Sequence, residues 1–152
     1  MVNDGQSDYW LVANLGDSRL YRFADGELRQ LTVDHSFVQE LVDSGRIGAD
    51  EARIHPQRNI VTRVLGSVQP PEAEYWLFAP VPGERYLLCS DGICGELEEG
   101  PIARLMAGIS DPGLTASALV GEALRAGGTD NATAIVIDVW GPPNRLHRPL
   151  RQ

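Results

Sequence analysis

The feature that most constrains the fold is a series of short strand-forming runs, each ended by a turn rich in glycine, aspartate or proline. The first two runs cover residues 9–15 and 18–24, and only Gly16-Asp17 separates them. Asp25-Gly26 then separates the second run from a third at residues 27–31. Connections this short join antiparallel neighbours, because parallel strands need a crossover of about a dozen residues or more. The pattern predicts an antiparallel meander at the start of the chain.

Helical patterns follow the meander, and further strands alternate with them. Ser36 and Gln39 fit a capping box at the start of a helix whose apolar stripe ends before Gly45. Pro101 suits the first turn of another helix, and a third runs from about residue 111 to residue 126. We expect a loop at 91–100 and further strands at 74–79, 85–90 and 132–140. This order predicts an α+β fold, with helices packed on antiparallel sheets.

The charge of the chain and its lack of lysine exclude several classes of function. The net charge is −8, and all 13 basic residues are arginine. Nucleic-acid binders present a basic face, which argues against that class here. A Walker-type NTPase and a protein kinase both need a lysine that contacts nucleotide phosphates, so both are excluded. A membrane is not expected as a partner either, because no apolar run approaches the ~20 residues that a membrane helix needs.

The start of the chain and its cysteines indicate a cytoplasmic protein. Residues 1–8 are polar and acidic, without the positive and apolar regions of a secretory leader. Cys89 and Cys94 have no metal-ligand pattern around them. We therefore expect two buried thiols in a reducing compartment.

Three aspartates lie at the ends of predicted strands, each close to a glycine. Asp17 follows the first run, Asp91 lies in Ser90-Asp91-Gly92, and Asp130 comes just before the last strand. Carboxylates that converge from strand ends bind hard cations such as Mg²⁺ or Mn²⁺. Asp, Asn and Gly are also the ordinary residues of turns, so each position alone is open to either interpretation. The combination of the three is what favours a metal centre.

Five motifs, in order along the chain, carry a resemblance to a known family. They occupy residues 14–19, 34–36, 55–59 with 62–66, 90–93 and 130–133. Together they resemble the type 2C (PPM) metal-dependent protein serine/threonine phosphatases. The stretch 55–66 is most similar to the bacterial branch of that family. The resemblance covers about residues 9–140, which is nearly the whole chain.

The resemblance implies a fold, a reaction and a set of ligands. The family fold is a sandwich of two antiparallel sheets flanked by pairs of helices, with a two-metal centre of Mn²⁺ or Mg²⁺ at one end. A metal-bridging water attacks the phosphorus of phosphoserine or phosphothreonine. Asp91 and Asp130 match core metal ligands, and Asp17 matches a ligand of a further, weaker metal. No catalytic residue beyond these ligands is implied.

The resemblance also implies partners and a surface that handles substrate. Residues 44–60 match the flap beside the site, which the family links to substrate handling. Phosphorylated proteins are the implied substrates, and serine/threonine kinases and their targets are the natural partners. Arg19 and Arg63 are open to two interpretations, since each can approach phosphate or form a structural ion pair.

The chain departs from the family pattern upstream of residue 9. The family has two acidic motifs there, of Asn-Glu-Asp and Asp-Gly-Met-Gly-Gly type, and a phosphate-binding arginine, none of which has a counterpart here. Asp91 and Asp130 alone are too few anionic ligands for two closely spaced divalent ions. We therefore expect an incomplete centre, marginal stability and little or no activity from the chain alone, with a missing N-terminal half as a partner. Gly95 stands where many relatives have a polar or acidic residue, which weakens the accessory metal site.

We divide the chain into a polar lead (1–8), a partial phosphatase domain (9–140) and a Pro/Arg-rich tail (141–152). The predicted function is dephosphorylation of phosphoserine and phosphothreonine proteins by metal-activated water. The first alternative is a truncated, non-catalytic pseudophosphatase fragment that binds a partner. The second is a carboxylate metal hydrolase of another fold.

Overall fold

The computed structural model describes residues 2–3, 8–67 and 71–141. Its strands are β1 Val2–Asn3, β2 Asp8–Asn14, β3 Arg19–Ala24, β4 Glu27–Gln30, β5 Glu74–Phe78, β6 Arg85–Cys89 and β7 Ala134–Asp138. Its helices are α1 Phe37–Asp43, α2 Ala49–Ile54, α3 Asp91–Cys94, α4 Glu99–Gly108 and α5 Pro112–Arg125. Apart from Gly141, the predicted tail lies outside the described residues. No described helix has both the length and the apolar character needed to cross a membrane.

The strands form two antiparallel sheets that face each other. One sheet has the order β1-β2-β5 and the other β4-β3-β6-β7. The ring of Tyr86 in the second sheet stacks on two rings of the first, with centroids 5.4 Å from Trp10 and 5.6 Å from Phe78. Stacked rings at this separation gain about 0.5–1.5 kcal/mol beyond the burial of their area. The predicted α+β sandwich is confirmed.

The predicted meander is wrong in one respect, because β2 and β3 belong to different sheets. β2 pairs with β5, whereas β3 pairs with β4 and β6. The chain passes between the sheets through the short turn at Gly16, whose φ of 111° is open to glycine but strained for other residues. The β3–β4 hairpin is as predicted, with positive φ at both Asp25 and Gly26.

The main core lies between the second sheet and helices α4 and α5. Because side chains alternate along a strand, Tyr21, Leu87 and Cys89 point to the helix side of the sheet. They form one buried cluster with apolar residues of the helices, chiefly Ile102, Met106, Leu119 and Ala123. Burying each large side chain of this kind stabilises the fold by about 1.5–3 kcal/mol.

The loop expected at 91–100 is partly helical. Helix α3 begins directly at Asp91, and α4 begins at Glu99, so Pro101 lies in the first turn of α4 as expected. The difference arises because Ile93 and Leu97 are buried, with exposed fractions of 0% and 6%. Their burial in the core holds the intervening backbone in a compact turn, which local sequence patterns do not reveal.

The outer face of the first sheet carries large side chains that solvent reaches. Leu11 and Leu77 stand directly opposite each other on β2 and β5, and they are 53% and 60% exposed. Tyr75, two positions along β5, is 68% exposed. Contiguous apolar surface of this kind marks a face that favours association.

Arg85 joins the second sheet to the end of α4. Its guanidinium pairs with Asp138 on β7, with Nε 2.5 Å from Oδ1 and Nη2 2.9 Å from Oδ2. It also donates to the backbone oxygens of Met106 at 2.8 Å, Ile109 at 2.5 Å and Ser110 at 2.6 Å. The last carbonyls of a helix have no N–H donor within the helix, so they need a donor from elsewhere in the chain.

Replacement of this arginine tests its contribution. We expect Arg85→Met to lower the free energy of unfolding by about 2–4 kcal/mol, because it removes the arginine donor from the Asp138 carboxylate and from the Met106 and Ser110 carbonyls, while Ile109 keeps the Thr115 hydroxyl. Urea unfolding followed by circular dichroism measures the change. The control is Arg125→Met, since the Arg125–Glu122 pair lies on the exposed surface of α5 and such pairs contribute about 0–1 kcal/mol. Equal losses in the two variants would contradict the assignment.

Candidate metal centre

Asp17 lies on the turn that carries the chain from the first sheet to the second. The preceding residue, Gly16, is buried, and both of its backbone groups have partners. Its N–H donates to Nδ1 of His35 at 3.1 Å, and its carbonyl accepts from the His35 N–H at 3.0 Å. Asn14 Nδ2 adds a second donor to the same carbonyl at 3.3 Å. The backbone next to Asp17 is therefore fixed from both sides.

The loops that carry Asp91 and Asp130 lie against each other. The Ser90 N–H donates to the Thr133 carbonyl at 3.1 Å, and the Thr133 N–H donates to the Ser90 hydroxyl at 3.0 Å. The same hydroxyl donates to the Asn131 carbonyl at 3.2 Å. Since Ser90 precedes Asp91 and Asn131 follows Asp130, these bonds hold the two aspartates on adjoining loops.

Gly92 permits the closest approach of these two loops. A Cβ atom at this position would lie 2.4 Å from the Asn131 carbonyl oxygen, well inside van der Waals contact. The absence of a side chain is therefore what lets the start of α3 pack on the loop before β7. The glycine of the Ser90-Asp91-Gly92 motif serves this packing.

A cavity of about 340 Å³ opens between the two sheets at this end of the sandwich. Its apolar wall includes Leu20, Leu88 and Ile135. The three aspartates do not line it, but residues near them do: Ser18 follows Asp17, Ser90 precedes Asp91, and Thr133 lies three residues after Asp130. The strand ends identified in the sequence therefore meet at one end of the molecule.

Burial and neighbouring negative charges raise the pKa of Asp17 above its ordinary value. Partial burial makes the largest contribution, and the charge of Asp91 the next, with a smaller one from Asp34. Carboxylates held near one another in this way repel each other unless a cation lies between them. The donor set of Asp17 and Asp91 thus fits a hard divalent cation, which prefers oxygen ligands.

The three aspartates do not form a complete ligand cluster. Within the described residues, no three side chains of His, Cys, Asp or Glu are grouped closely enough to hold a metal ion. Asp91 and Asp130 are exposed, and the Oδ1 atom of each accepts the N–H of the next residue. The assignment of Asp17, Asp91 and Asp130 as ligands stays a prediction.

Arg19 and Arg63, for which the sequence allowed either a phosphate contact or a structural ion pair, both contact carboxylates. Arg19 forms a bidentate pair with Asp34, with Nε–Oδ1 at 2.9 Å and Nη2–Oδ2 at 2.7 Å. Arg63 lies 3.4 Å from Glu74 Oε1. These contacts support the structural ion pair for both residues, more strongly for Arg19.

Both cysteines are free thiols in the core region, as predicted. Cys89 is buried and Cys94 is partly buried. The hydrogen bond with Cys94, together with burial, raises the pKa of the Cys89 thiol. A thiol in this state is a poor nucleophile, so Cys89 behaves as a small apolar residue.

The residue that sequence reasoning missed is His35. It lies in the Asp34-His35-Ser36 motif, yet the motif by itself assigned it no role. The only sequence feature that could have identified it is its place directly before Ser36, the N-cap of α1. Nothing local shows that its ring reaches back to Gly16.

Known proteins that resemble this chain include bacterial serine/threonine phosphatases. No protein-family model matches the chain. The chain is 42% identical over 128 residues to the serine/threonine protein phosphatase PstP of Mycobacterium tuberculosis, a match that covers 84% of this chain and 24% of PstP.

Two solved structures extend the match to the fold. The crystal structure of the Mycobacterium tuberculosis serine/threonine phosphatase PstP/Ppp superposes with a TM-score of 0.83 at 40% identity, covering 88% of this chain and 56% of that one. A catalytic domain of PstP in complex with two manganese ions gives a TM-score of 0.78 at 36% identity, with coverage of 89% and 55%. The chain thus spans about half the length of these solved chains and about a quarter of the PstP sequence.

Removal of the Asp17 charge tests the electrostatics of the centre. A raised pKa means that the folded chain loses stability as pH rises through that pKa, because ionised Asp17 is then disfavoured. We expect Asp17→Asn to raise the unfolding midpoint of the metal-free chain by about 1–2 °C at pH 7, with the gain shrinking as pH falls toward 4. Thermal unfolding in EDTA measures it, with Glu27→Gln in the same exposed hairpin as control. A lower midpoint for Asp17→Asn at pH 7 would show that the repulsion is absent.

A methyl group at Gly92 tests the contact between the two loops. We expect Gly92→Ala to lower the free energy of unfolding by about 1–3 kcal/mol, because the Asn131 backbone must move away. Gly108→Ala is the control, since a Cβ at the end of α4 meets nothing within 4 Å and alanine favours helix by about 0.5–1 kcal/mol. Urea unfolding compares the two. A Gly92→Ala chain as stable as the unaltered one would rule out the close approach.

Proposed function

The chain belongs to the bacterial type 2C (PPM) family of serine/threonine protein phosphatases, and on that premise we propose that it dephosphorylates phosphoserine and phosphothreonine in proteins by metal-activated water. The observation that carries the proposal is the meeting of the Asp17, Asp91 and Asp130 loops at one cavity, in a chain that matches a manganese-bound phosphatase. The relatives that match are named as phosphatases, and this favours the enzyme over the non-catalytic alternative.

The proposed roles follow from where each carboxylate lies. Asp91 and Asp130, exposed on adjoining loops, would hold the core metal pair. Asp17, half-buried on the crossover, would hold a further and weaker ion. When bound, a pair of Mn²⁺ or Mg²⁺ ions would lower the pKa of a bound water and neutralise charge on the phosphoryl oxygens. The protein's part is to fix the carboxylates through the Ser90 hydrogen bonds and the Gly16 turn.

Residues 44–60 supply the proposed surface for substrate. In this flap the exposed Arg46, Arg53 and Arg58 outnumber the exposed Asp50 and Glu51, which gives the segment a net charge of +1 (three minus two) in a chain whose net charge is −8. The flap begins after α1 and is held at its base by a contact between the rings of Phe37 and His55, with centroids 6.3 Å apart. Positive charge at this position favours a phosphorylated protein over an unphosphorylated one. We propose that the substrates are cytoplasmic targets of serine/threonine kinases, and those kinases themselves.

The proposed reaction predicts metal-dependent turnover. The described residues hold only part of a two-metal centre, so we expect slow release of phosphate from a phosphothreonine peptide, dependent on Mn²⁺ and abolished in Asp91→Asn. Isothermal titration with Mn²⁺ on the same samples should show binding that weakens by tenfold or more in Asp91→Asn, since loss of a residue that only supports a metal ligand already costs about 10–100-fold. Asp25→Asn is the matched control and should behave as the unaltered chain.

Two results would overturn different parts of the proposal. A folded chain that binds no Mn²⁺ at millimolar concentration would remove the metal role of Asp91 and Asp130. A chain that binds Mn²⁺ but releases phosphate no faster than Asp91→Asn would make it non-catalytic, as the pseudophosphatase alternative states.

A further inference from the structure

His35 is a polar side chain placed almost entirely inside the protein. Only 4% of the residue is exposed, and it lies behind the turn that carries Asp17. Two of its groups bind the same neighbour, since the ring Nδ1 accepts the Gly16 N–H at 3.1 Å and the His35 N–H donates to the Gly16 carbonyl at 3.0 Å. The ring therefore does more than fill space in the core, because without it the buried Gly16 N–H, next to a candidate ligand, would lose its hydrogen-bond acceptor.

The hydrogen bonds of His35 also define its tautomer. Because Nδ1 accepts the Gly16 N–H, the ring proton lies on Nε2. Nε2 lies 3.4 Å from Glu74 Oε1 on β5, which is the acceptor available to that proton. Arg63 Nη1 lies 3.3 Å from the same nitrogen, and since both groups are donors they share the Glu74 oxygen, 3.4 Å from Arg63 Nη1, as acceptor. The ring is thus oriented by charged groups on its far side.

The backbone around His35 is held as well. Its carbonyl accepts the Thr62 N–H at 2.8 Å, and the next residue, Ser36, forms a bridge with Val61. Ser36 also caps α1 by accepting the Gln39 N–H at 3.3 Å. The ring therefore projects from a rigid base toward the crossover, which is the arrangement expected of a group that positions another.

We propose that His35 is a positioning residue for the metal centre, which holds the Gly16 turn so that the Asp17 carboxylate faces Asp91. The inference rests on the proposed function, because it takes Asp17 as a metal ligand. Such residues contact a metal ligand and not the metal itself, and their replacement commonly lowers metal affinity by about 10–100-fold. A histidine with a purely structural role would alter stability without acting through Asp17.

The test compares Mn²⁺ binding to five forms of the full chain: unaltered, His35→Leu, His35→Asn, Asp17→Asn and the double variant Asp17→Asn with His35→Leu. Asn places an oxygen near the position of Nδ1, so it retains the acceptor for Gly16 N–H, whereas Leu removes it. We expect titration calorimetry to show affinity at least tenfold weaker in His35→Leu and within threefold of the unaltered chain in His35→Asn. The double variant should bind no more weakly than Asp17→Asn, because both changes act on one ligand.

The outcomes separate this inference from the proposed function. If His35→Leu weakens binding by the same factor with and without Asp17, its effect does not pass through Asp17 and the inference fails. Thermal unfolding of every variant shows whether a loss of Mn²⁺ affinity arises only because the variant is unfolded. If His35→Leu is unfolded, the Mn²⁺ affinity of His35→Asn decides whether the inference holds.

If the unaltered chain binds no Mn²⁺, the proposed function fails and hydrogen exchange decides the role of His35. We expect the Gly16 amide to exchange at least tenfold faster in His35→Leu than in His35→Asn. Equal exchange in the two variants would show that His35 does not hold the turn.

Discussion

The two hydrogen bonds between Gly16 and His35 are the constraint on which the arrangement of both sheets depends. β2 and β3 are close in sequence but belong to different sheets, so the chain must change sheet inside the protein. The ladder of β2 ends at Asn14 and that of β3 begins at Arg19, so neither ladder supplies a backbone partner for Gly16. Each unpaired buried group would cost about 1–3 kcal/mol. His35 supplies a partner for each of the two groups, with Asn14 Nδ2 as a second donor to the carbonyl, and thereby makes a buried crossover tolerable.

The acidic end of the sandwich is stabilised less well than the rest. Asp34 is neutralised by Arg19, and Asp138 by Arg85, each through a bidentate pair. Within the part of the chain that the structure describes, Asp17 forms no such ion pair. Burial and the charges of Asp91 and Asp34 raise its pKa, and the charge of Arg19 only partly offsets them. Proteins accept such local repulsion where function requires it and compensate elsewhere in the fold. Here the compensation comes from the large core between the second sheet and its two helices.

Much of the fold could be predicted because its determinants are local. Asp25-Gly26 fixes a hairpin, and Ser36 caps α1, within a few residues of where each occurs in the sequence. The sheet to which β2 belongs could not be predicted, because its partner β5 lies far along the chain and pairs Trp10 with Phe78. The candidate site divides in the same way. Motifs located its aspartates, but the role of His35 depends on a contact that only the folded chain makes.

The pairing of β6 with β7 has a consequence for the order of folding. Asp91 follows β6 directly and Asp130 precedes β7, so their loops adjoin only once these strands have paired, with Cys89 opposite Ala134. Helices α4 and α5 lie between them in the chain. On the ribosome the candidate centre therefore assembles only after both helices and β7 have emerged, so binding of a cation at the proposed ligands would be one of the last steps of folding. A nascent chain that stops before β7 has its candidate ligands but no means of bringing them together.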